Sequence, residues 1–223
     1  MSPQVPAPRW PTVAQQRAAA QTALAVQLRY AQAGVSLAQA ALGGAREFVE
    51  LRHYPAHDAT DPATGTEFYY HAHGSSRRPA QEHGHFHLFK RFTPEALANL
   101  PPAVCLPGES AQAQPGFVHI AALSLDARGL PLRWFTTNRW VTGERWLPAQ
   151  AVIDCLPGLR PRARGRLAPV GEWLNAVLQL HAQPLAALIR RRDRLVQPHQ
   201  FEDRRVDVLS QCRVDWPGRL ARF

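Results

Sequence analysis

The sequence predicts an α+β fold in which helices flank a central, mostly antiparallel β-sheet of five or six strands. Three features lead to this prediction. An N-terminal segment is rich in Ala, Gln, Leu and Arg, which are strong helix formers. The middle of the chain alternates residue types with the period of two that is typical of strands. Near the C-terminus, apolar residues recur at helical spacing, which indicates a helical pair.

The N-terminal part of the chain is predicted to be an irregular tail followed by helices. Residues 1–11 contain four prolines and form the tail. One helix is expected over residues 12–33, and a shorter one, which Ser36 can cap, over residues 37–42. The apolar stripe of the first helix is formed by Val13, Ala20, Leu24, Leu28 and Val35.

The sheet belongs to the remainder of the chain. We divide the sequence into an N-terminal tail and helical segment, residues 1–45, and a single α+β domain, residues 46–223. The strands expected outside a histidine-rich hairpin cover residues 46–54, 117–125 and 132–140. Residues 58–65 are predicted to be a turn-rich loop, and residues 202–214 fit either a strand or a helix. Such a sheet could close into a barrel-like structure.

The histidines are concentrated on two neighbouring predicted strands. Seven of the ten histidines lie between His53 and His87. Residues 74–82 contain Gly and Pro and are predicted to be the loop of a β-hairpin that joins the strands. The expected facing pairs are His73 with His83, His71 with His85, and Tyr69 with His87. Opposed residues of an antiparallel pair share a face, with Cβ atoms roughly 4.5–5.5 Å apart, so five imidazoles would cover one patch.

This patch predicts a metal-binding site. Each charged ring raises the cost of charging the next, so most rings must be neutral near pH 7 and keep a free lone pair. Such ligands suit a divalent transition metal: iron, zinc or copper. The candidate ligands are His71, His73, His83, His85, His87 and Glu82. The alternative is a polar sheet face whose histidines bond one another, carboxylates and water.

One run in the hairpin resembles the histidine triad nucleotide hydrolases and transferases. His83-Gly84-His85-Phe86-His87-Leu88-Phe89 matches the His-x-His-x-His-x-x motif of that family over seven residues. The resemblance implies that His85 is a catalytic nucleophile that attacks a phosphate. The preceding residues, Pro79-Ala80-Gln81-Glu82, depart from the usual Gly-Gln-Ser/Thr-Val. This alternative, a nucleotide phosphoryl hydrolase or transferase, predicts an anion pocket that is open to solvent.

A second resemblance is to the cupins. Gly65, followed after five residues by His71-Ala72-His73, resembles the start of the first cupin motif. Pro115-Gly116-Phe117-Val118-His119 resembles part of the second motif. The match implies metal ligands at His71, His73 and His119 in a small β-barrel, while the carboxylate and the Asn of the motifs are replaced.

The broadest resemblance covers the chain from about residue 46 to the C-terminus. It is carried by the order Tyr-Tyr-His-Ala-His, Glu-His-Gly-His-Phe-His and Phe-Thr-Thr-Asn-Arg-Trp-Val-Thr-Gly-Glu. This order is similar to an uncharacterised bacterial domain-of-unknown-function family, which implies no activity.

The composition indicates a basic protein whose positive charge is almost all arginine. The net charge is +9, and Lys90 is the single lysine. The mixture of Arg, Ala and Pro is typical of a GC-rich bacterial genome. The two arginine clusters are Arg160, Arg162, Arg164 and Arg166, and Arg190, Arg191, Arg192 and Arg194. We expect them to form solvated basic surfaces, although a non-catalytic interaction or nucleic-acid-binding protein stays open as an alternative.

The remaining predictions concern location and substrate. Three cysteines stand singly, which favours a reducing cytoplasm, and no run of about 18 apolar residues predicts a membrane span. Asn138 and Arg139 follow a predicted strand and could hold the carboxylate or phosphate of a small anionic substrate. They could equally cap the next segment and pair with Glu144.

Overall fold

The structure is a computed structural model that describes residues 10–74 and 79–223. Most of the predicted N-terminal tail and the centre of the predicted hairpin loop, residues 75–78, therefore lie outside the described residues.

Six strands form one sheet, in which every neighbouring pair is antiparallel and the spatial order follows the chain. The strands are β1 (Tyr54–Asp61), β2 (Thr66–His71), β3 (Gly84–Arg91), β4 (Phe117–Leu125), β5 (Pro131–Thr137) and β6 (Val208–Arg213). The antiparallel α+β prediction is confirmed. The barrel-like closure is wrong, because β1 and β6 remain the open edges of the described sheet.

Eight α-helices occur in the described residues. They are α1 (Val13–Gln32), α2 (Leu37–Ala41), α3 (Pro94–Ala98), α4 (Arg139–Thr142), α5 (Ala149–Cys155), α6 (Ala168–Leu180), α7 (Ala182–Leu195) and α8 (Trp216–Leu220). The predicted N-terminal helices and C-terminal helical pair are confirmed. Thr12 and Ser36 each accept a backbone N–H at a helix start, and the Gln at the third helical position bonds back, so both α1 and α2 begin with a capping box.

The predicted apolar stripe of α1 is wrong in its largest residues. Leu24 and Leu28 are 48% and 59% exposed. The buried residues of α1 are Ala19, Ala20, Ala23 and Val26. Small side chains let α1 lie close against α6, so the helix packs through its alanines rather than its leucines.

The first strand begins later than predicted. Residues 46–53 contain turns and bends, and β1 includes residues that were expected to form a loop. Pro55 lies within this strand, which is possible because β1 is an edge strand and its pairing with β2 is irregular between Tyr54 and Ala59. The C-terminal segment that fitted a strand or a helix contributes the edge strand β6.

The sheet has one apolar face and one histidine-rich face. Side chains on the apolar face pack with α1, α2, α5, α6 and α7 in the main core. This face includes Phe68, Tyr70, Phe86, Leu88, Leu123 and Trp134. The opposite face carries the residues that alternate with these, and near β6 it meets a smaller cluster formed by Trp146, Val196 and Phe201.

Candidate metal centre

The register of β2 and β3 brings histidines from both strands onto one face. His71 lies opposite His85, and Tyr69 lies opposite His87, as the sequence predicts. Since successive side chains on a strand point to opposite faces, the alternating Phe68, Tyr70 and Phe86 of these strands enter the apolar core.

Three histidines lie close enough together to hold one metal ion. One nitrogen from each of His71, His85 and His87 lies within 4.8 Å of the others. The Nε2 atoms of His71 and His85 are 2.8 Å apart. All three side chains are buried, so imidazole nitrogens converge at a place from which water is largely excluded.

Glu82 is held behind His85. Its Oε1 lies 2.8 Å from Nδ1 of His85, while its Oε2 accepts a hydrogen bond from Ser124 at 2.5 Å and meets the Arg133 guanidinium at 3.3 Å. Burial acts to raise the pKa of Glu82, but the hydrogen bond from His85 and the other partners hold it below its usual value. A carboxylate accepts, so Nδ1 of His85 carries a proton and donates it.

This arrangement changes the role expected for Glu82. The sequence suggested a direct ligand, but both carboxylate oxygens are engaged by the protein. In the neutral ring of His85, a proton on Nδ1 leaves the lone pair on Nε2, which is the atom that faces His71. Glu82 therefore fixes the orientation of the His85 ring, and both of its carboxylate oxygens already have protein partners.

His119 of β4 extends the cluster beyond the hairpin. Its Nε2 lies 3.0 Å from Nδ1 of His87, and its Nδ1 lies 3.2 Å from Oγ1 of Thr137 on β5. When His119 donates to Thr137, it accepts from His87 at the other nitrogen. The lone pair of His87 then lies on Nε2, as in His85.

Burial keeps these rings neutral. It lowers the pKa of His71 to about 2 and that of His119 to about 3. It also lowers the pKa of His87 well below its usual value. Neighbouring charges act in the same direction, chiefly from His85 on His71 and His87, and from Arg192 on His119. Neutral rings are the form that binds metals, so burial holds His71 and His87 in that form near pH 7.

Two more histidines lie beside the cluster. The ring of His73 is 4.9 Å from that of His71 and 5.3 Å from that of His85. His53 stacks on Tyr69 at 3.6 Å, and its Nδ1 lies 2.9 Å from the Asp58 carboxylate. These residues surround the group of three without belonging to it.

His83 points to the other face of the sheet. Its Nδ1 lies 2.8 Å from the hydroxyl of Tyr70, whose ring is in the apolar core, and its ring is 5.2 Å from that of Phe48. The expected facing of His83 and His73 is wrong, because the β2–β3 ladder ends at the His71–His85 pair. Gly84 leaves room for the Tyr70 hydroxyl that His83 contacts, since a Cβ at this position would lie only 2.6 Å from that hydroxyl.

Asn138 and Arg139 have protein partners. Asn138 accepts from the backbone N–H of Arg139 and donates to the carbonyl of Gln200 at 2.9 Å. The Arg139 guanidinium binds the Glu109 carboxylate through two nitrogens. An anion at Arg139 would have to displace Glu109. The expected capping by Asn138 is observed, but the expected pairing with Glu144 is wrong, because Arg139 pairs with Glu109 and meets Glu144 only at its backbone carbonyl.

Two buried charged residues near the cluster escaped the sequence-based prediction. Glu144 accepts a hydrogen bond from the backbone N–H of His119 at 2.7 Å, and burial raises its pKa to about 7 although Arg192 opposes the shift. Arg192 lies over the ring of Trp146 at 4.2 Å and donates to the carbonyl of Leu147. It was assigned to a solvated basic surface, but it is buried.

The fold and the site together define an α+β protein with a buried histidine cluster on one face of an open antiparallel sheet. A family model described as "Domain of unknown function (DUF6969)" matches residues 17–214. The chain belongs to this family, as its resemblance to an uncharacterised family predicted. No curated protein and no solved structure matches the chain. None of the helices in the described ranges combines the length and apolar character needed to cross a membrane.

Proposed function

We propose that the protein binds one divalent transition metal through His71, His85 and His87. The observation that carries the proposal is the approach of the His71 and His85 Nε2 atoms to 2.8 Å, with Nδ1 of His85 held by a buried carboxylate. When both rings are neutral, the proton between the facing nitrogens lies on Nε2 of His71, because Nδ1 of His85 already carries the proton of its own ring. A metal ion would receive both Nε2 lone pairs once the His71 proton has moved from Nε2 to Nδ1 of the same ring.

The spacing of the His71 and His85 nitrogens is close to what a metal requires. Metal–nitrogen bonds of about 2.0–2.1 Å at a tetrahedral angle separate two ligand nitrogens by about 3.3 Å. The observed 2.8 Å separation therefore needs to open by only about 0.5 Å. Small rotations of buried rings supply such a change, so the strands need not move.

The residues around the ligands resemble the supporting groups of known metal centres. Histidines that bind metals usually donate their second ring N–H to a carboxylate, a carbonyl or water, which fixes the ring and raises its basicity. Glu82 provides this acceptor for His85. His119, backed by Thr137, provides one for His87.

Three nitrogen ligands suit zinc, copper or iron. They leave at least one coordination position for water, dioxygen or substrate, which is the arrangement of catalytic rather than structural sites. A metalloenzyme is therefore the activity class that we propose to test after metal binding.

The phosphoryl-transfer alternative is less well supported by the same geometry. A nucleophilic His85 must present Nε2 to a phosphate, but this atom faces His71 and the residue is only 4% exposed. The ionised Glu82 behind the ring would also repel an approaching phosphate. The nucleic-acid-binding alternative is also less well supported, because Arg192 of the second arginine cluster is buried and cannot contact a nucleic acid.

We further propose that the protein works in the reducing cytoplasm of a bacterium. Cys105, Cys155 and Cys212 are all free thiols in the structure. Fractionation of the native host tests this proposal.

Elemental analysis tests the proposed metal binding. The protein is produced without a histidine tag, then measured as purified and after reconstitution with zinc, ferrous iron or copper. We expect close to one metal per chain in the wild type and a large loss in His85→Ala. His57→Ala is the matched control, because His57 is an exposed histidine of β1 and should leave the metal content unchanged. Absence of metal from reconstituted wild type would reject the proposal.

A further inference from the structure

A cavity of about 640 Å³ adjoins the protein groups that support His85. It lies where β5 begins and β6 ends, beside the segment that precedes β3. Its charged lining residues are Glu82, Arg133, Arg213 and Asp215. The volume falls in the usual range for small-molecule sites, and its walls combine apolar and charged side chains.

Two arginines of the cavity are placed directly opposite each other. Arg133 on β5 pairs with Arg213 on β6, so both side chains leave the same face of the sheet. Like charges in facing positions destabilise a sheet unless an opposite charge lies between or beside them. The pair therefore forms a place where an anion would relieve a repulsion.

The carboxylates of the cavity do not neutralise both arginines. Glu82 lies 3.3 Å from Arg133, but it is shared with His85 and Ser124. Asp215 accepts a hydrogen bond from the backbone N–H of Gly218 at the start of α8. In the ranges that the structure describes, Arg213 has no carboxylate within 4.0 Å. Its charge remains available to a ligand.

Arg133 is held in position for such a ligand. Its guanidinium lies 4.8 Å from the centre of the Phe135 ring, and its Nε donates to Ser124 at 3.3 Å. Its NH1 group binds Gln211. A guanidinium has five N–H donors, so this packing leaves donors that can face the cavity.

We propose that this cavity binds a small organic anion, through an oxyanion group that Arg133 and Arg213 hold together. Carboxylate and phosphate groups share the required chemistry, because a guanidinium binds either one with two parallel hydrogen bonds. The apolar walls formed by Pro79, Pro131 and Val214 would contact the rest of the molecule.

The position of Arg133 also links the anion to the metal centre, and this part of the proposal rests on the proposed metal binding. An anion competes with Glu82 for the guanidinium. When Arg133 also donates to the anion, its positive charge neutralises the Glu82 carboxylate less, and Glu82 accepts more strongly from His85. A stronger acceptor on Nδ1 makes Nε2 a better ligand, so the anion should tighten metal binding.

Calorimetric titration tests the anion site. Inorganic phosphate and malonate are titrated separately into the wild type, so that the two experiments distinguish the two oxyanions. We expect saturable binding of at least one of them, weakened at least about tenfold in Arg213→Gln. The control is Arg17→Gln, which removes an equal charge from an exposed position on α1. This variant should bind the anion as the wild type does. No saturable binding, or equal binding by Arg213→Gln and the wild type, would overturn the proposal.

The same titrations with zinc test the link. Coupling is reciprocal, so the factor by which the anion tightens zinc binding must equal the factor by which zinc tightens anion binding. Equal factors above one support the link, and independent affinities overturn it. If the anion binds but zinc does not, the proposed metal binding fails while the anion site stands. If zinc binds but neither anion does, the anion site fails alone.

Discussion

The two faces of the β2–β3 hairpin are buried to nearly the same extent but differ in the chemistry that burial requires. Phe86 is 0% exposed on the apolar face and His87 is 2% exposed on the histidine face. Burying an aromatic ring stabilises the fold without any partner, whereas a buried imidazole must be hydrogen-bonded or bound to something. The apolar face explains why the chain folds. The rings of the histidine face have hydrogen-bond partners in the protein, and this is the face on which we propose metal binding.

Breaking the apolar face should have the largest effect. Phe86→Ala removes a fully buried ring that packs near Phe68 and Trp173, so we expect a loss of about 3–5 kcal/mol in the free energy of unfolding. Leu28→Ala, at a position that is 59% exposed on α1, should change it by less than about 0.5 kcal/mol. Denaturant titration measures both. An equal, small effect of the two changes would contradict the assignment of the core.

A buried carboxyl group beside the histidine face makes the stability of the fold depend on pH. Glu144 is buried, and burial raises its pKa from 4.5 to about 7. Between these two pH values, the folded state keeps a proton on Glu144 that the unfolded state has lost. Wild-type stability should therefore lose about 3 kcal/mol from this group as the pH rises from about 4.5 to about 7.

Glu144→Gln isolates this contribution, because the amide oxygen can still accept from the backbone N–H of His119. We expect the variant to gain stability relative to the wild type across that pH range, as measured by denaturant titration at each pH. A constant difference between the two proteins would show that Glu144 does not titrate as the structure predicts.

Glu82→Gln tests whether the charge of Glu82 supports metal binding, while the hydrogen bond that it accepts in the fold is kept. The amide can still accept from His85, but it lacks the charge that strengthens the ring as a ligand. Metal affinity should fall by about tenfold to a hundredfold in a competitive chelator titration. Glu95→Gln, on exposed α3, is the control that should retain wild-type affinity. Unchanged affinity in Glu82→Gln would remove Glu82 from the centre.

Neighbouring threonines of β5 give the finest comparison of the two faces. Thr136 bonds to Ser210 at 2.7 Å on the apolar side, and Thr137 lies 3.2 Å from His119 on the histidine side. Replacing either by Val should cost about 1 kcal/mol of stability. Only Thr137→Val should weaken metal binding, by up to about tenfold. The same loss of affinity in both variants would indicate a general effect of β5.

The sequence predicted most of the elements because their patterns are local. The helix formers and caps of α1, the alternation in β2 and β3, and the helical spacing in α6 and α7 each depend on a few neighbouring residues. Residues 46–53 alternate like a strand but form turns, because pairing with β2 begins only at Tyr54. Such pairing depends on the partner strand, which local alternation does not reveal.

The sequence predicted the part of the candidate site that lies within the β2–β3 hairpin, but not the part that β4 and β5 contribute. The facing of His71 and His85 follows from the alternation of side chains on two strands joined by the predicted hairpin loop, residues 74–82. The contact of His87 with His119 requires the register of β4, and the proximity of Arg133 to Glu82 requires that of β5. The cupin resemblance pointed to His119, whereas no local pattern indicated that Glu82 would support His85 or that His83 would turn towards Tyr70.

X-ray absorption spectroscopy on zinc-reconstituted protein is the decisive measurement for the histidine centre, because it counts the atoms bound to the metal. We expect three imidazole nitrogens at about 2.0–2.1 Å, with one imidazole lost or replaced in His87→Ala. A shell made only of oxygen, or a sulfur at about 2.3 Å from one of the cysteines, would show that the metal binds elsewhere and would contradict the histidine centre.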